Sequence, residues 1–290
     1  MDWLRPSCMA LVLCGVNPLV AADPDSTAAA RLTENQRHLV LSSQPTGLLI
    51  PLYLYPADIH TNAEYNRLID LKLSHPRVPV CVVVNPASGP GATEDGNYKY
   101  AIRRLRGAGC IVLGYVSTHY TEVPLDTVRA DIDRWSRLYE GVNGIFLDEQ
   151  TNDENPKHLR YYVDACRAAH DAGYWPVFAN PGTDQIEPYF NEPTADVIVT
   201  FENDHFPTEA SLRGDYFGGY ADHAPYRRAA LVHSQAELDE SALARLARYT
   251  RWVYITHDTF KPDAKPGSRD VNPWDSLSRH TEAMLELLDR

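Results

Sequence analysis

The chain has 290 residues, 44% of them hydrophobic, and its 21 Pro and 16 Gly are spread along its length, which excludes an intrinsically disordered protein and offers no linker between domains. A single large core is therefore expected. With 27 basic against 39 acidic residues the formal charge is −12, which disfavours nucleic acid and anionic membranes and suits a neutral or cationic partner, though an acidic surface also serves plain solubility.

At the start of the chain, Arg5 precedes a short apolar run from Cys8 to Val16, and Val20-Ala21-Ala22 stands before Asp23. One basic residue, an apolar stretch too short to span a bilayer and small residues at the cleavage position read as a secretory signal over residues 1–22, although Asp2 weakens the basic region. That places the mature protein outside the cell or in a periplasm, with 23–46 as an N-terminal extension and 47–290 as the folded domain. Of the remaining cysteines, Cys81, Cys110 and Cys166 sit inside apolar patterns without CxxC spacing and read as core thiols.

From residue 47 a short run rich in β-branched residues, a polar loop and a helical pattern recur. The predicted strands are Leu48–Tyr53, Val78–Val84, Cys110–Tyr115, Gly144–Leu147, Trp175–Ala179, Asp196–Phe201, Ala229–His233 and Trp252–Thr256. Helical patterns fall at 62–74, 97–108, 125–139, 156–172, 183–190, 208–213, 235–248 and 274–289. Continuous apolar strands alternating with helices indicate parallel pairing with both faces buried. Eight such units predict an α/β fold, a (β/α)8 TIM barrel, over an open doubly wound sheet, for which the GxGxxG after the first strand is missing.

In a TIM barrel the chemistry sits where strands end. Polar residues gather at those positions: Tyr53 and Tyr55, Asn85, Tyr115 with Thr118 and His119, the pair Asp148-Glu149, Asn180, Glu202, His233, and His257-Asp258. Cleaving a glycosidic bond takes two carboxyl groups, one to protonate the leaving oxygen and one to act as nucleophile or to activate water. Asp148 or Glu149 on the fourth strand facing Glu202 on the sixth meets that need. Any one acid at a strand–helix junction is as readily a solvated loop residue or a cap, but Asn152 or Asp153 is better placed to cap the helix near 156. Because side chains alternate along a strand, Asp148 and Glu149 cannot both face the axis in regular geometry.

Other chemistries fit less well. His119, His233, His257 and Asp258 lack HxH or HExxH spacing, so no metal is expected. The loop from Asn85 to Gly91 lacks the Lys of a phosphate cradle, and no GxSxG elbow occurs. Tyrosines, 17 in all, crowd the strand ends, where aromatic faces stack on sugar rings. The segment from Asn203 to Pro225 is longer than a simple turn, and it is expected to cover one side of the cleft with Tyr216 and Tyr220 against substrate.

Six segments in order carry a resemblance: Ile50–Pro56, Val84–Gly91, Leu113–Thr118, Gly144–Glu149, Ala179–Gly182 and Thr200–Glu202. Together they resemble the signature of the spherulin 4 (spherulation-specific) family of glycoside hydrolases over residues 47–256. The resemblance implies a TIM-barrel enzyme cleaving α-1,4-linked N-acetylgalactosamine or galactosamine in exopolysaccharides such as galactosaminogalactan, with catalytic acids on Asp148, Glu149 and Glu202.

Asp148 is expected as nucleophile or charge stabiliser, Glu202 as acid/base, and Glu149 as a residue that orients substrate; Asp148 and Glu149 are interchangeable at this level. Tyr53, Tyr55, Asn85, Tyr115, Thr118, His119, Asn180, His233, Tyr216 and Tyr220 are the expected substrate contacts. No cofactor is implied, and the protein is expected to act as a monomer on an amino-sugar polymer. The competing readings are a non-catalytic polysaccharide-binding barrel and a metal-dependent hydrolase.

Overall fold

The computed structural model describes residues 32–58, 60–213, 223–261 and 272–290. The expected secretory signal, and Tyr216 and Tyr220 of the segment expected to cover the cleft, lie outside the described residues. Eight parallel strands close into a barrel in chain order: β1 Gly47–Leu52, β2 Val80–Val84, β3 Ile111–Ser117, β4 Gly144–Asp148, β5 Val177–Asn180, β6 Val197–Asn203, β7 Arg228–Val232 and β8 Trp252–Ile255. β1 pairs with β8 to complete the ring. Strand residues are buried almost throughout, as continuous apolar runs between two packed layers require.

The outer layer consists of α1 Glu34–Ser43, α2 Ala63–Ser74, α3 Gly96–Gly107, α4 Leu125–Leu138, α5 Pro156–Asp171, α6 Glu187–Asn191, α7 Glu209–Arg213, α8 Glu240–Tyr249 and α9 Thr281–Leu288. Their apolar residues recur at helical spacing, as in α4, where Val128, Ile132 and Trp135 are buried against the barrel. Polar side chains cap five of the helices, α1, α2, α3, α5 and α8. Asp95 accepts from the main-chain N–H groups of Asn97 and Tyr98 at α3. At α5 the cap is Asn155, which accepts from Lys157, whereas Asp153 accepts from the Asn155 N–H and pairs with His158.

Two departures from the predicted elements have physical causes. α1 forms inside the expected extension, where Thr33 and Gln36 make a reciprocal capping box. It packs beneath the barrel: Arg37 approaches Asp196, and His38 meets Tyr226, at the segments that enter β6 and β7. The last helix starts at Thr281 rather than 274 because the preceding residues are used on the barrel's upper face. There the Trp274 carbonyl accepts from the Tyr53 N–H at 2.8 Å. β8 pairs with β1 only at Gly47 and Leu48, so this segment takes over the β1 edge above.

Strand and helix approach closely at Gly114 of β3. A Cβ there would lie 2.6 Å from Cε2 of Trp135, whose ring is fully buried and whose Nε1 donates to the Tyr115 carbonyl. The indole therefore has no free direction in which to yield. Gly114→Ala is expected to destabilise the fold by about 2 kcal/mol through overpacking, read from the midpoint of urea unfolding. An unchanged midpoint would show that Trp135 repacks freely.

Candidate active site

Thr118, just past β3, fixes the backbone at the end of β4. Its hydroxyl lies 2.8 Å from the Asp148 carbonyl, 2.9 Å from that of Glu149 and 2.9 Å from the Tyr162 hydroxyl. The next peptide is tied as well, since the Tyr120 N–H donates to the Glu149 carbonyl. Held in this way, Glu149 takes a φ of 60°, a left-handed conformation that costs a residue with a Cβ about 1–2 kcal/mol. His119, Tyr120 and Thr121 adopt positive φ beside it.

The turn overrides the alternation expected for a strand. Asp148 and Glu149 both line the cleft, because regular β geometry ends at Asp148. Glu149 accepts from the Ser117 hydroxyl, and its other oxygen stands 3.5 Å from Nδ1 of His119. Asp148 is tied instead to Asn180, its register partner on β5. The Asn180 Oδ1 accepts from the Gly182 N–H at 2.9 Å, which turns its NH2 toward the acids. That single nitrogen donates to Asp148 at 3.0 Å and to Glu202 at 2.7 Å. Glu202 takes a second bond, from Nε1 of Trp274 at 3.0 Å.

Electrostatics follow from this packing. Burial, and then the charge of Glu202, push Asp148 up to about 7, against the hydrogen bonds of Tyr115, the Glu149 main chain and Asn180. Glu202 is also raised by burial, although its bonds to Asn180 and Trp274 oppose the shift. Two half-buried carboxyls joined through one amide titrate as a unit, so the pair retains one proton up to near neutrality. Burial and the nearby Asp148 charge raise the Tyr53 and Tyr115 phenols above their ordinary value and keep them as donors.

The cleft over these groups has a volume of about 770 Å³. Of the expected contacts, Tyr53, Asn180 and His233 line it, and Tyr115 reaches it through Asp148, with its ring edge-on to Tyr53 at 5.6 Å. His119 stands at the rim between Glu149 and Glu122.

Three expectations are corrected. Tyr55 is exposed and turns outward, bonding Asp95 and Asn97. Asn85 spends its side-chain oxygen on the Gly89 N–H and shapes its own loop. Thr118 is fully buried and holds backbone carbonyls rather than facing the cleft. Sequence reasoning missed Trp274 and Phe260 in the cleft wall, which they share with Tyr120, one of the strand-end tyrosines. The available signal was the Asn272-Pro273-Trp274 run after the last strand, of which Trp274 was read as the start of a predicted helix.

Known proteins share this architecture. Sph3 of Aspergillus clavatus, whose crystal structure is in complex with GalNAc, superposes with a TM-score of 0.67 at 25% identity, covering 86% of this chain and 99% of that one. An endo-beta-N-acetylglucosaminidase from Cordyceps militaris gives 0.52 at 11% identity, covering 92% and 97%, a likeness of fold alone. Spherulin-4 of Physarum polycephalum is 32% identical over 164 residues, 56% of this chain but only 46% of that relative's own length. The family model described as "Spherulation-specific family 4" matches residues 47–288, the whole barrel, and the chain belongs to that family.

Proposed function

We propose that this protein is an exported glycoside hydrolase that cleaves α-1,4-linked N-acetylgalactosamine or galactosamine within an exopolysaccharide, using Asp148 and Glu202 as its working pair. The observation that carries the reading is the bridge through Asn180. The nearest oxygens of the two acids can be no further apart than its two bonds, 3.0 and 2.7 Å, laid end to end. That span falls short of the roughly 6.5–9.5 Å at which inverting enzymes seat a water, and it matches retention through a covalent intermediate.

Support for an amino sugar comes from the GalNAc held by the Aspergillus clavatus relative. The cleft is near the upper end of the usual range of roughly 300–1,000 Å³ and suits several sugar units, with Tyr53, Tyr120 and Trp274 as stacking faces. The acidic chain as a whole favours encounter with a polymer bearing free amines.

Roles follow from donor count. Asp148 accepts from the Tyr115 hydroxyl, the Asn180 amide and the Glu149 main chain, which stabilise its charge once the pair's proton rests on Glu202, and in that form it attacks the anomeric carbon. Glu202 has two donors and carries the proton to the leaving oxygen. Glu149, held by Ser117, orients the sugar.

Incubation with galactosaminogalactan, chitosan, chitin and a glucuronan, followed by mass analysis of released oligomers, tests the reading. Cleavage of the galactosamine polymer with retained anomeric configuration is expected. Asp148→Asn and Glu202→Gln are each expected to lower kcat by at least about a hundredfold. Azide should revive Glu202→Gln with retention and Asp148→Asn with inversion; the opposite pattern would exchange the two roles. Binding of the polymer without any cleavage would leave a non-catalytic barrel.

The shared proton also sets a pH dependence. kcat/KM is expected to fall as pH rises through about 7, where the pair loses its proton. Stability follows the same sign. A carboxyl whose folded value lies above its unfolded one stabilises most below the unfolded value, and that advantage is lost as pH rises toward about 7. Asp148→Asn should therefore exceed the wild type in thermal stability at pH 8, by on the order of 2 kcal/mol, and match it near pH 4. Equal stability at both pH values would place Asp148 in a better solvated setting than its burial implies.

A further inference from the structure

The turn that brings Trp274 over Glu202 begins at Asn272, which lines the cleft as well. Its side-chain Oδ1 accepts from the Trp274 N–H at 3.0 Å, and its carbonyl accepts from the Asp275 N–H at 3.4 Å, an Asx turn that fixes the side chain. The turn is anchored on two sides. The Trp274 carbonyl accepts from the Tyr53 N–H, while the indole of Trp274 meets His233 edge-on at 5.9 Å and donates to Glu202. At most about 7 Å of chain separates Asn272 from the residue that bonds the acid.

An Asn whose oxygen is committed can present its amide in only one way. With Oδ1 on the Trp274 N–H, Nδ2 is turned from that bond; it keeps solvent access and has no hydrogen-bond partner among the described residues. The cleft around it is lined by three acids, Asp148, Glu149 and Glu202. Asn272 thus adds free N–H groups to a wall rich in acceptors, and what those groups bind is an acceptor.

Charge and polarity define that acceptor. An ammonium is itself a donor and offers the Asn272 amide nothing to bond. A carboxylate accepts but is repelled by the acids of the same cleft. A sugar hydroxyl accepts too, yet every unit carries hydroxyls and the contact would discriminate nothing. A neutral amide carbonyl meets the requirement, and Trp274 and Phe260 offer apolar faces in the same cleft to the methyl beside it. We infer that Asn272 selects an N-acetylated unit beside Glu202, its Nδ2 donating to the acetamido carbonyl. The inference rests on the glycosidase reading for its polymer and goes beyond it by separating the acetylated unit from the free amine. Overall charge governs how the polymer arrives; this contact governs which unit is held.

Asn272→Asp tests the contact directly, since one oxygen still accepts from the Trp274 N–H while the other replaces the free donor with a charged acceptor. Asn272→Ser keeps an acceptor for the turn and removes the amide. The full-length wild type and both variants are compared in kcat/KM on fully N-acetylated and fully deacetylated α-1,4-galactosamine oligomers. Binding of the methyl α-glycosides of N-acetylgalactosamine and galactosamine is followed separately by NMR titration. A charge added near Glu202 slows both substrates, so the ratio between them is what is read. The wild type is expected to favour the acetylated oligomer, Asn272→Ser to lower that ratio about tenfold, and Asn272→Asp to reverse it. A wild-type preference for the amine, or a ratio unmoved in Asn272→Ser, would overturn the assignment. A binding preference reversed by Asn272→Asp without hydrolysis of either oligomer would keep the selector and sink the glycosidase reading. Hydrolysis whose ratio survives both substitutions would do the reverse.

Discussion

The amide of Asn180 is the interaction on which the cleft depends. Two half-buried carboxyls within one barrel mouth repel each other when both are ionised, and neither is compensated by a nearby cation among the described residues. The Asn180 nitrogen bonds both, and its oxygen is committed to Gly182, so the amide has one satisfied orientation. Register makes this possible, because Asn180 stands opposite Asp148 in the parallel ladder. An insertion in β5 would move the amide to the other side of the sheet and leave the acids unsupported.

A second constraint works from the backbone. Left-handed geometry at Glu149 persists because Thr118, Tyr120 and Tyr162 hold its carbonyl and its neighbour's. The strain lets two adjacent acids share one cleft, which a regular strand forbids. Thr118 thus contributes to the site without reaching it, and its burial is what makes it effective.

The barrel is not uniform around its circumference. On one side, the segment before α9 covers the β1 edge and brings Trp274 over Glu202, so the last part of the chain completes a site begun on β4. On the other, short helices beside β6 leave space where longer ones would pack. The upper face therefore combines a rigid, hydrogen-bonded centre with a side cavity of about 280 Å³ beside β6.

Much of the fold was legible in the sequence because continuous apolar strands, alternating with helices eight times, admit few closed architectures. The same logic located Asp148, Glu149, Glu202 and Asn180, since strand-end polarity in a parallel barrel converges on one face. Local chemistry was legible too, as in the Thr33–Gln36 capping box, although it was not read. What only tertiary structure decided was direction and partnership. Tyr55 and Asn85 sit at strand ends yet turn to neighbouring loop groups, because the backbone after a strand no longer obeys a period of two. Trp274 is 72 residues from Glu202 along the chain, and no local pattern encodes a bond that exists only once the ring has closed. The sequence by itself determined which residues could reach the barrel mouth; side-chain hydrogen bonding between strands determined which of them do.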